Sequence, residues 1–484
     1  MKKLMSLILV LAMVLSLVAC GTNQSTNDGN SENSSNAESN ANAAEQNSNT
    51  DDSETVVDEN PELTAAIKSI LEDKKDVTVI FWTGTGAANY PYLEEIVNNF
   101  MAEYPNITVE LSNQGAIGDL TEKLTQNIVS GTTPTISNLS PSTFPEYIEA
   151  GAIVDLATFY NNDTIGYTDE EKADFFQNYI LEAESFGGEG TLYGFPTNKK
   201  TANILVYNKT YFDAQGWSAP TTWDEVVAYS KAIYEDTGMP GFSYDTSYAD
   251  DAFKNISQQY GSPFITDDGT VDIDNEGSRL ALKLYKENMD LGYFTLPALM
   301  PSAGGNNSSN GFVNEECYMF VGASAGIAYA VPKADAAKTF EVGVAPVPQV
   351  ADGVSVYYSK GEDYCVFSNA TLEEQVAAWI LIKYLSDPVN NLNWYINTGN
   401  LPIRQSTIEL DEYKAFLNSD VSDAGYYKAQ AVNAVLEIQE QMSFEKIAEN
   451  SSALTEACGT MWSSVMIGGA DIESALATAV SSID

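Results

Sequence analysis

The chain has 484 residues, 44% of them hydrophobic, enough to fill the cores of two lobes. Its 68 acidic and 23 basic residues leave a net charge of −45, which excludes nucleic acid and an anionic lipid surface as electrostatic partners. With no histidine, Ser-His-Asp and Cys-His catalysis are excluded and the commonest metal ligand is missing, so neither a metal nor a cofactor is expected.

In chain order, "MKKLMSLILVLAMVLSLVAC" opens on Lys2 and Lys3 and runs through an apolar stretch from Leu4 to Val18. That stretch is too short for a bilayer span, and small residues follow it, so residues 1–19 read as a signal peptide. Leu17-Val18-Ala19-Cys20 resembles a bacterial lipoprotein cleavage box, which implies that Cys20 becomes the lipidated N-terminus, carrying palmitate among its acyl chains. Residues 20–60 are rich in Asn, Ser and acids and nearly devoid of large apolar side chains, so they are expected to stay a disordered tether. A tether of about 40 residues reaches roughly 30–40 Å as a coil, holding a body off the outer face of a cell membrane.

The folded body is expected to begin at "PELTAAIKSILEDKK" or at the strand Val77–Trp82. Leu93, Ile96, Val97, Phe100, Met101 and Tyr104 mark a helix that Pro105 ends, and Ile107, Val109 and Leu111 alternate as a strand. This strand-helix-strand order predicts an α/β lobe with a largely parallel sheet. Thr222 with Glu225, and Thr371 with Glu374, read as capping boxes opening two further helices, stopped by Gly238 and Pro388. The acidic stretch "TDDGTVDIDNEG" does not match a calcium-loop spacing and reads as a turn at Gly269 leading to a short strand and a helix cap. Cys317, Cys365 and Cys458 have no CxxC spacing and read as small buried hydrophobes without a disulfide framework.

"YGFPTNKKTANILVYNKTYFDAQGWSAPTTWDEVVAYSKAI" (193–233) resembles the bacterial extracellular solute-binding proteins that feed ABC importers, in their sugar and glycerol-3-phosphate branch. "FMAEYPNITVEL", "FVNEECYMFVGASAGIAYA", "FEVGVAPVPQVADG" and "AAWILIKYLSDPVNNLNWYINTGNLPIR" agree in order, so the resemblance covers the chain from about residue 77 to its end. It implies an α/β, two-lobed fold with several chain crossings and an interlobe ligand cleft. The lobes are expected at 77–197 plus 362–400 and at 201–360 plus 404–484, with crossings near Pro196–Asn203, Ser359–Asp363 and Gly399–Arg404.

The same resemblance places candidate ligand contacts at Ser140, Lys199, Lys200, Ser324, Gly361 and Asn400. Lys199 and Lys200 would present a cation to a hydroxylated or anionic solute, or else pair with some of the many acids as ordinary lysines. Trp82 and Tyr244 are candidate aromatic plates, and Glu362 and Asp363 candidate acceptors for sugar hydroxyls. A glycerol-3-phosphate specificity fits less well: Ile117, Lys200 and Asn400 stand where that subgroup has other residue types, and the chain's two arginines are Arg279 and Arg404.

The expected function is therefore a monomeric substrate-binding lipoprotein that delivers a small solute, a sugar or oligosaccharide, to ABC permease subunits, with no catalytic residue. Two alternatives share the sequence: a surface carbohydrate hydrolase using paired carboxylates, and a ligand sensor for a signalling partner.

Overall fold

The structure, a computed structural model, describes residues 60–246, 250–266, 269–336, 338–419, 424–448 and 450–483. The expected leader, Cys20 and the tether up to residue 59 lie outside these residues, as do Asp267 and Asp268 of the acidic stretch.

Twelve strands are described: β1 (Val77–Thr83), β2 (Ile107–Asn113), β3 (Ile136–Leu139), β4 (Phe195–Pro196), β5 (Thr201–Asn208), β6 (Phe242–Tyr244), β7 (Phe294–Thr295), β8 (Met319–Ala323), β9 (Val342–Pro346), β10 (Tyr357–Lys360), β11 (Asp363–Val366) and β12 (Met442–Ser443). They form two sheets, which make the protein two-lobed. The first runs β2-β1-β3-β11-β4, with β1 parallel to β2 and β3 and with β11 antiparallel to its neighbours. The second runs β12-β10-β5-β8-β6-β7, and β9 pairs with β5 beyond the point where β10 leaves it.

Periodicity explains the first lobe. In β1 Val79, Phe81 and Thr83 are buried while Thr78 and Ile80 face outward, and the helix Tyr90–Glu103 buries Leu93, Ile96, Val97 and Phe100 against the same core. The helix Pro61–Leu71 inserts Leu63, Ala66, Ile67 and Ile70 into that core, so the first lobe starts earlier than the expected boundary at residue 77.

β5 is the axis of the second lobe and is buried on both faces. Ala202, Ile204 and Val206 enter one core and Leu205 another, which is why "ANILVY" reads as an unbroken apolar run rather than an alternating one. Both predicted capping boxes form, with Thr222 accepting from Glu225 N and Thr371 from Glu374 N, and Gly238 closes its helix at φ 71°. Thr266 and Gly269 form the expected turn, a single bridge joins Ile265 to Val271, and Asn275 caps the helix Glu276–Asp290. Cys317, Cys365 and Cys458 are buried and free.

The chain passes between the sheets three times. It leaves β4 at Pro196 and enters β5 at Thr201; it leaves β10 at Lys360 and enters β11 at Asp363. These two passages lie side by side, since Lys360 pairs with Thr201 in one sheet and Asp363 with Pro196 in the other. The third includes the helix Pro388–Thr398, which straddles the cores: Trp394 belongs to the first lobe, Leu392 and Tyr395 to the third cluster behind β5. Leu401 N donates to Lys200 O at 2.7 Å, tying the third passage to the first.

Gly361 sits between the first two passages at φ +128°, and a Cβ there would lie 2.6 Å from Lys199 O and 2.9 Å from Lys200 Cα. Both the conformation and the backbone contact demand glycine. Gly361→Ala should lower the unfolding midpoint in urea, by an amount equivalent to about 1–3 kcal/mol. Gly118→Ala, where a Cβ meets nothing within 4 Å, should leave the midpoint unchanged or slightly raised. Equal midpoints for wild type and the Gly361 variant would show that the passage relaxes freely.

Candidate functional site

The passages gather charge. Lys200 is fully buried, and its Nζ donates to Glu182 Oε2 at 2.7 Å and to Asp363 Oδ2 at 2.9 Å, both carboxylates also buried. Glu182 comes from the helix Gln177–Ser185, Asp363 from the first residue of β11. The Tyr179 ring lies 5.6 Å from the ammonium. Burial alone would depress Lys200, but Asp363 and Glu182 reverse this and hold it above the ordinary lysine value. Two carboxylates share one cation, so one carboxylate is raised: burial pushes Glu182 up to about 7, with Lys200 pulling down and Asp363 pushing further up. Lys200 and Asp363, expected to face a ligand, thus sit in an interior ion triad with no exposed surface; the adjacent residues Lys199 and Glu362 lie nearer the surface.

Lys199 pairs with Glu362 at 2.5 Å, both side chains mostly buried. Beside Lys199 lies a small cavity of about 240 Å³ lined by Thr83, Thr85, Leu93, Asn138, Asn198, Tyr364 and Trp394. Its floor is the carboxyl end of β1 and β3, where α/β sheets present ligand sites. Trp82 is one residue short of that rim; alternation puts it, half-buried, on the sheet face opposite Phe81, while Thr83 reaches the cavity. Ser140 is half-buried just past Asn138, at the start of the turn Pro141–Thr143.

On the second lobe, Tyr244 is buried and its hydroxyl accepts from Asn203 Nδ2 at 3.1 Å. Lys360, the last residue of β10, donates to Asn203 Oδ1 at 3.3 Å and also pairs with Asp251. Lys254, one turn further along that helix, pairs with Asp250 at 3.0 Å and with Glu445 at 2.7 Å. Ser324 is fully buried against Thr201, Oγ to Oγ1 2.9 Å, and Asn400 is held by Trp394 Nε1 at 3.1 Å. Asp245, beyond β6, accepts from Ser308 N at 2.6 Å, and burial raises its carboxyl to about 6. Sequence reasoning missed Thr83, Thr85, Asn138, Asn203, Asp250, Asp251, Lys254, Lys360 and Glu445. Lys360 could have been found from its place before Gly361; the others carry no local signal, because distant chain segments bring them together.

These features define a two-lobed solute-binding architecture. The family model of the bacterial extracellular solute-binding proteins matches residues 95–418, and the chain belongs to that family. The fold is similar to a cyclic α-maltosyl-1,6-maltose binding protein from Arthrobacter globiformis (TM-score 0.66, 22% identity, 84% of this chain and 98% of that one). It is also similar to maltose-bound MalE3 from T. maritima (TM-score 0.68, 18% identity, 84% and 99%) and to UgpB from Mycobacterium tuberculosis in complex with glycerophosphocholine (TM-score 0.68, 16% identity, 84% and 98%). A multiple sugar-binding protein of Streptococcus mutans is 30% identical over 145 residues, a match spanning 29% of this chain and 30% of that relative's length.

The raised Glu182 carboxyl has a measurable sign. The folded protein holds this proton up to about pH 7, whereas the unfolded chain releases it near 4.5, so stability falls as pH rises through that window. Glu182→Gln should remove this component: the stability difference between wild type and variant should shift by about 2–3 kcal/mol from pH 4.5 to 7.5, in the variant's favour at the higher pH. Parallel pH profiles for the two proteins in urea titrations would refute the assignment. Lys200→Met, which leaves two buried carboxylates unpaired, should cost about 3–5 kcal/mol at pH 7.5.

Proposed function

We propose that this protein captures an uncharged sugar or oligosaccharide between its lobes and delivers it unchanged to the permease subunits of an ABC transporter. The observation that carries the reading is charge balance at the passages: Lys199, Lys200, Lys254 and Lys360 are each committed to a carboxylate of the protein itself. Both arginines are committed too, Arg404 to Asp174 at 2.6 Å and Arg279 to Asp274 and Glu473. A phosphate would have to break such a pair, whereas a sugar hydroxyl can bond to amides, hydroxyls and carboxylates already in place. The sugar ligands named for the Arthrobacter and T. maritima structures support the same class; the glycerophosphocholine of the mycobacterial one is the competing choice.

The protein works by holding and releasing rather than by chemistry, so that solute binding biases the lobes about the three passages. It acts outside the cytoplasm, lipidated at Cys20 and tethered to the cell membrane by residues 20–60. Lys199 and Glu362, the least buried of the paired groups at the passages, are the protein's best candidates for direct solute contact.

A thermal-shift screen of mono- and oligosaccharides against glycerol-3-phosphate and glycerophosphocholine tests the reading. A saccharide at a hundred times its Kd should stabilise the fold by about 2.7 kcal/mol and be recovered intact. Stabilisation by the phosphate esters alone would overturn the solute class, and cleaved sugar would overturn the non-catalytic role. Cys20→Ala should move the protein from the membrane fraction to the medium; an unchanged membrane fraction would dismiss the anchor.

A further inference from the structure

Alongside β10 the second lobe carries a cavity of about 390 Å³ that the residues discussed above do not account for. Phe264, Tyr358 and Phe444 contribute aromatic surface, and Pro263, Ile265 and Val356 complete a largely apolar wall. One polar group in it is unusual. Tyr358 Oη donates to Gln258 Oε1 at 2.6 Å, which fixes the amide so that Nε2 is its donor end; that Nε2 is buried and makes no hydrogen bond. A buried donor without an acceptor carries a penalty of about 1–3 kcal/mol, so the site stores a demand for an acceptor oxygen.

The cavity is continuous with the charged wall of the second lobe. Glu445 lines it and is also the partner of Lys254. Tyr358 lies two residues before Lys360 on the same strand, and the Glu445 charge is felt at Glu182 in the first lobe. Apolar plates with one donor and one carboxylate at the rim match a pyranose ring, whose C–H faces pack on aromatics while its hydroxyls accept and donate at the edge.

We propose that this cavity is a subsite for an additional sugar unit, so that the solute is an oligosaccharide extending from the passages along β10, with Gln258 Nε2 donating to a hydroxyl of the outer unit. The proposal rests on the saccharide reading above and sharpens it from sugars in general to chains of at least two units.

Calorimetric titration of the protein with glucose, maltose, maltotriose and maltotetraose, and with the β-1,4-linked series from cellobiose, tests it. In the series that binds, affinity should rise tenfold or more on adding one unit to the shortest ligand bound. Gln258→Met, which keeps the shape but removes the donor, and Phe264→Ala should each abolish that increment while leaving the shortest ligand's affinity within twofold of wild type. Affinity independent of length, or equal loss at every length in both variants, would overturn the subsite while leaving the saccharide reading intact. An aryl glucoside gaining as much as the added sugar would assign the cavity to an apolar group and overturn it as well. If no saccharide of either series binds wild type, the solute class itself falls and the subsite falls with it.

Discussion

The constraint on which the architecture turns is the burial of Lys200. It follows Lys199 on the first passage, its backbone carbonyl accepts from Leu401 on the third, and its ammonium binds Asp363 on the second. One residue therefore fixes all three passages to each other and to the helix carrying Glu182. Such an interior ion group contributes little net stability compared with an apolar substitute of the same volume, but it penalises any arrangement in which one partner is displaced. It sets where the passages lie rather than how tightly the lobes fold.

With the pivot fixed, the surrounding charges arrange themselves by local neutralisation. Lys199 takes Glu362, Lys360 takes Asp251, and Lys254 takes Asp250 and Glu445. In a chain of net charge −45 this matters, because cations are scarce and each one placed near the passages cancels carboxylates that would otherwise repel across the gap. The result is a polar, hydrogen-bonding surface without surplus positive charge, suited to hydroxyl groups and poorly suited to a bare anion.

Much of this fold was legible because its cues are local. Apolar spacing marked the helix Tyr90–Glu103, the Thr-x-x-Glu pairs marked two helix starts, and Pro196, Gly361 and Gly399 marked breaks where the chain changes sheet. The site was less legible, because a residue's place in sequence says where its backbone runs but not which way its side chain points. Lys199 and Lys200 are adjacent, and alternation sends one toward Glu362 and the other into the interior. Trp82 and Thr83 differ in the same way at the end of β1. The Asp250–Lys254–Glu445 group joins segments nearly 200 residues apart, a pairing that only the folded topology creates.

The triad also links the pivot to the space between the lobes. Glu445 on the second lobe raises the Glu182 carboxyl on the first, so the two carboxylates repel when both are ionised. At an effective dielectric of about 20, two charges about 8 Å apart cost on the order of 2 kcal/mol, comparable to the coupling that separates two conformations of a binding protein. Proton uptake by Glu182 removes that repulsion, and so does the commitment of Glu445 to Lys254. The lobes can therefore share an interface at neutral pH despite the acidity of the chain, because the cost of bringing them together has been met within each lobe before any solute arrives.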